Sequence, residues 1–180
     1  MVSVTRALRF GVLIALVTAL AVGPVSASEQ VERPYTARED GTFAGDPACV
    51  DFFGGGCHFD TESTGTATHL GKTSVVSDGT IKLFFEECFL LDGVTPGLVF
   101  RSSGSFTATA ANGAQLNGTF ENEGCTNPDP ATEAIGTAIE GSQTITGGTG
   151  RFEDATGSTT TFGRGFGSVF DLVATGTLTY

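Results

Sequence analysis

Tryptophan is absent, the one methionine is Met1, and basic residues are scarce. The 9 Lys and Arg stand against 20 Asp and Glu, for a formal net charge of −11. So acidic a chain repels nucleic acid and anionic membrane surfaces, which excludes both as partners. No G-x-S-x-G elbow occurs, and His58 and His69 are the only two histidines, so a serine hydrolase of that type is excluded. No C-x-x-C spacing occurs among the cysteines, which argues against a metal or redox site built on them. Past the N-terminus there is no long apolar run, and no stretch holds a helical apolar period.

What the chain does have begins with a leader. Arg6 and Arg9 precede an apolar run from Phe10 to Val22, and Val25-Ser26-Ala27 offers small residues for cleavage. This is the layout of a secretory signal peptide over residues 1–27, and the apolar run falls short of the ~20 residues a spanning helix needs. Loss of Arg6 and Arg9 would leave 7 basic against 20 acidic residues, a net −13. Residues 28–180 then suit one exported domain that does not insert in a membrane. In that compartment the even set Cys49, Cys57, Cys88 and Cys125 reads as two disulfides. Three connectivities are open; Cys49–Cys57 with Cys88–Cys125 is favoured, because the first pair closes a local glycine-rich loop.

Residues 28–57 read as a polar leader segment with one early strand near Tyr35–Phe43, followed by a loop over Pro47–Gly56. From residue 58 to 180 the chain reads as short strands separated by turn residues. Strands are expected at Phe59–Leu70 and Thr73–Ser77, then, after an Asp78-Gly79 turn, at Ile81–Leu90. Further strands are expected at Leu98–Ser102, Ser105–Ala111, Ala114–Glu123, Glu133–Thr146, Thr159–Phe162 and Ser168–Tyr180, with Asn112-Gly113 the clearest hairpin turn. Strand spacings of roughly 8–12 residues suit a sandwich or barrel. Closure removes exposed edges, so the expected fold is all-β, an antiparallel up-and-down barrel of eight strands. An outer-membrane barrel is disfavoured by the lack of aromatic girdles and outward apolar bands.

Alternation along strands then nominates interior polar groups. Ile81, Leu83, Phe85 and Phe89 share a face with Glu87, while Lys82, Phe84, Glu86 and Cys88 make up the other, so either face could be the interior. Phe59 and Ala67 share one with His69; Ile135, Ile139 and Ile145 share one with Gln143. Phe85, Phe89 and Gln143 are therefore candidate ligand-binding residues. Glu87 and His69 are a candidate acid–base pair, since a carboxylate in apolar surroundings has a raised pKa and an imidazole can partner it. His58, Asp60 and Glu62 alternate on one strand, but with no second element closing a coordination shell they read as a solvated face, and no metal is assigned. No cofactor is expected either. Asn117-Gly118-Thr119 fits the glycosylation sequon.

One stretch carries more than periodicity. Gly147-Gly148-Thr149-Gly150-Arg151-Phe152, followed by Ala155-Thr156-Gly157, resembles the G-G-T-G-x-F-x-x-A-x-G signature of the allene oxide cyclase and dirigent β-barrel group. Gly65-Thr66-Ala67-Thr68-His69-Leu70-Gly71 is similar to segments of exported bacterial proteins of that type. The resemblance implies an eight-stranded antiparallel barrel with a central cavity, assembled in many members as a trimer. Plant members cyclise an allene oxide or steer the coupling of phenolic radicals; dirigent members commonly read A-R-G where this chain has Ala155-Thr156-Gly157. The expectation is a secreted barrel that holds a small apolar or aromatic molecule in its cavity. An isomerase or cyclase using Glu87 and His69, and a structural protein with a filled barrel, are the alternatives.

Overall fold

The computed structural model describes residues 30–180, so the leader at 1–27 lies outside the described residues. The strands are β1 (Glu32–Gly45), β2 (Cys57–Ala67), β3 (Gly71–Phe89), β4 (Pro96–Ala110), β5 (Gln115–Thr126), β6 (Thr137–Gly148), β7 (Thr156–Phe166) and β8 (Val169–Thr179). Each pairs antiparallel with the next, and β8 returns to pair with β1, closing the barrel. Two single 3-10 turns, Pro130–Thr132 and Gly150–Phe152, are the helical content of the described residues.

The early strand expected near Tyr35–Phe43 is present as β1, but it belongs to the barrel, which begins well ahead of residue 58. β1 lies inside the stretch read as a leader, and it pairs with both β2 and β8: Ala37 sits opposite Ala67 on one side and Ala174 on the other. Arg38 and Asp40 are exposed while Tyr35 and Ala37 are buried, so the charges occupy the outer face of an ordinary two-faced strand.

Asp78-Gly79 is not a turn. It lies in the middle of β3, opposite Ser105 and Gly104 of β4. A Cβ at Gly79 would come within 2.5 Å of the Ser103 carbonyl and 3.1 Å of the Phe59 and Phe120 rings, so glycine there permits the close inward approach of curved strands. Asp78 faces outward and accepts a hydrogen bond from Ser105 Oγ at 2.7 Å. For the same reason β4 runs unbroken through Gly104, where two short strands were expected. Residues 133–136 belong to the connection before β6 and not to the strand itself.

The two ends of the barrel differ. One end is filled by Ile145, Leu116, Leu178, Phe152 and Ala155, all at most 2 % exposed. The glycine corner places the plug: Gly150 turns at φ 61, and Phe152 follows directly into the barrel mouth. Thr149 holds the corner to β5, its N–H donating to the Gln115 carbonyl and its hydroxyl accepting from the Gln115 N–H. Arg151 lies 4.7 Å over the Phe152 ring, which packs edge-on to Tyr180 at 4.9 Å. The opposite end carries both disulfides, Cys49–Cys57 and Cys88–Cys125, in the connectivity favoured from the sequence.

Candidate functional site

Between the plug and the disulfide-bearing rim lies a cavity of about 230 Å³. It exceeds the roughly 150 Å³ apolar cavities that admit a benzene-sized guest. Phe43, Phe59, Phe100, Phe106, Phe120 and Phe170 supply much of its wall. The Phe43 and Phe59 rings stack at 5.0 Å, and Phe59 meets Phe120 at 6.1 Å, so aromatic faces and edges are held close together.

A set of polar groups interrupts this lining. Glu39 of β1 faces the cavity and accepts a hydrogen bond from Ser63 Oγ at 3.0 Å. Burial raises the Glu39 carboxyl above its ordinary range, and the Ser63 bond opposes that shift in part. Tyr35, on the same face of β1, has its phenol pushed up by its own burial and by the nearby Glu39 charge. Thr61 and Ser77 satisfy each other at 2.5 Å. Thr159 donates to Gln143 Oε1 at 3.3 Å, and Thr161 donates to Asn122 Oδ1 at 3.0 Å. With their carbonyl oxygens thus engaged, the Gln143 and Asn122 side chains keep amide N–H groups available to a guest.

Gln143 is therefore where the sequence placed it, on the cavity wall. The other nominated residues are not. Phe85 and Phe89 are 84 % and 63 % exposed, and Glu87 is exposed beside them. Pairing of β2 with β3 ends at Ile81, and the β3–β4 register shifts between Leu83 and Glu87. Past that bulge the two strands continue as a hairpin with no opposing wall, so an apolar alternation no longer means an interior. Phe85 instead stacks on Phe53 of the β1–β2 loop at 4.4 Å.

His69 lies at the plugged end. It occupies the β2–β3 turn at φ 69, its Nε2 lies 3.0 Å from the Pro34 carbonyl, and its own carbonyl accepts from Arg151. His69 and Glu87 thus sit beyond opposite ends of the central part of β3 and form no acid–base pair. His58 lies 3.9 Å from both Asp60 and Asp78 on the exposed outer face.

The residue that sequence reasoning missed is Glu39. Its signal was the alternation Tyr35, Ala37, Glu39, Gly41, Phe43, which puts one carboxylate in a row of apolar and small residues. The neighbouring Arg38 and Asp40 masked it. No family model, curated protein or solved structure matches the chain.

Proposed function

We propose that the protein is an exported barrel of the allene oxide cyclase and dirigent type that binds a small apolar or aromatic molecule in its cavity. The observation that carries this reading is the phenylalanine-lined space behind the open rim, bounded by few polar groups. The glycine motif at residues 147–157 supports the kinship, since its Phe152 plugs one end and leaves the other free to admit a guest. Two disulfides support export to an oxidising compartment, and no helix of the described residues is long and apolar enough to cross a membrane.

The test is binding of the neutral environment-sensitive dye N-phenyl-1-naphthylamine, followed by fluorescence. A blue-shifted, saturable signal is expected from the wild type. Ser102→Phe, which inserts a ring from the β4 wall, and Ile81→Trp, placed nearer the rim, should each weaken it by about tenfold or more. Dye binding that survives both changes would place the guest elsewhere. Native mass spectrometry of protein from its source would then identify a co-purified molecule and count the subunits.

A further inference from the structure

We infer that the cavity selects small organic cations, namely aromatic or quaternary amines, with Glu39 as the counter-ion and the phenylalanine rings as the cage. This rests on the cavity-binding reading above and names the ligand class for the same site.

Among the described residues, Glu39 is the only titratable one lining the cavity, whose other polar groups are hydroxyls and amides. No Lys, Arg, His or second carboxylate of the described residues lines it to compensate or compete with that charge. Its one hydrogen bond from the described residues, the 3.0 Å contact from Ser63, engages Oε2 and leaves Oε1 for a guest. A half-buried carboxylate with so little support gains from a cation that joins it.

The strands packed against Glu39 bring no such cation. Its register partners are Gly65 on β2 and Leu172 on β8, and Tyr35 is the other titratable group on the inner face of β1. Arg164 and Asp171 pair with each other across β7 and β8, both partly exposed.

The cage is the second, independent feature. The cavity wall holds six phenylalanines, of which Phe43, Phe59 and Phe120 form a contiguous run of rings with centroids 5.0 and 6.1 Å apart. Aromatic faces attract a cation within about 6 Å, most strongly when it is desolvated. A primarily apolar guest gains from the rings but nothing from Glu39. A quaternary ammonium gains from both, and the net charge of −11 favours its approach over that of an anion.

The experiment is displacement of N-phenyl-1-naphthylamine by phenyltrimethylammonium and by tert-butylbenzene, its uncharged isostere, on the intact protein. Phenyltrimethylammonium should displace the dye at a concentration about tenfold lower. Its advantage should grow as pH is raised, because Glu39 must be ionised to act as counter-ion, while displacement by tert-butylbenzene stays flat. Glu39→Gln should erase the preference, and Glu39→Asp should keep part of it, which separates charge from folding defects.

Equal displacement by the two probes, or a cation preference that survives in Glu39→Gln, would overturn the inference while leaving an apolar binding cavity. A wild type that binds neither dye nor probe would overturn the cavity-binding reading together with it.

Discussion

The two ends of this barrel are stabilised by different physics. At the plugged end, Phe152, Leu116, Leu178, Ile145 and Ala155 exclude solvent almost completely, and stability comes from apolar burial. At the rim, Thr126, Thr137, Gly165 and Gly167 border an opening, the β1–β2 and β5–β6 connections are long, and both disulfides are found there. Where the chain leaves a cavity it cannot use a packed core, and cross-links that restrict the unfolded chain take over that role. Cys88 of β3 reaches Cys125 of β5 past β4, where a Cβ at Gly97 would meet the Cys125 sulfur at 2.7 Å. That glycine makes room for the bridge.

The largest expected effect breaks the plugged end. Phe152→Ala should cost about 3–5 kcal/mol, as truncation of a fully buried phenylalanine does, read from urea unfolding. Dye binding at the far end should persist in the folded fraction.

Next, removing the rim bridge by the double change Cys88→Ser, Cys125→Ser should cost about 3–4 kcal/mol, from the loop its 37-residue separation closes. Opening Cys49–Cys57, with a separation of 8, should cost about 2–3 kcal/mol. Equal losses from the two bridges would show that loop length is not the controlling variable.

A smaller effect concerns Glu39 and pH. Its folded pKa lies above the unfolded one, so its contribution is most favourable below the unfolded carboxyl pKa of about 4.3, where both states are protonated, and is lost as pH rises through the folded pKa. Glu39→Gln removes that penalty. The variant should melt above wild type at about pH 7, and the difference should shrink as pH falls toward about 4. A melting difference independent of pH would mean that Glu39 is solvated.

The smallest effect is expected at the residues beyond the barrel wall. Glu87→Gln and His69→Ala should leave dye binding unchanged, since one lies on the exposed hairpin and the other in the turn at the plugged end. A tenfold loss from either would contradict the division of the molecule into a plugged and an open end.

Much of the architecture is legible before folding. Alternating faces, turn residues and the even cysteine count lead to a closed eight-stranded barrel with the correct disulfide pairs. The glycine corner is legible as a bend, and Phe152 as its anchor. Of the residues nominated for the site only Gln143 lies on the cavity wall, though Phe59, Ile81 and Ile139 from the same nominated faces line it too. Period-two alternation says which residues share a face, but it does not say whether a wall stands opposite that face. Phe85, Glu87 and Phe89 obey the pattern on a stretch of β3 that has left the barrel. Glu39 obeys it on the early strand expected near Tyr35–Phe43, which reads in the sequence as part of the leader and not of the barrel.

Local chemistry therefore determined the strands, the corner at residues 147–150 and the chain's acidity, because each depends on residues near in sequence or on a simple sum of charges. Tertiary structure alone decided that β1 completes the barrel, that β3 runs through Asp78-Gly79, and that Glu39 faces a phenylalanine-lined space. Those facts depend on which strand stands across the barrel from which, and a carboxylate's environment is set by that opposite wall and not by its neighbours along the chain.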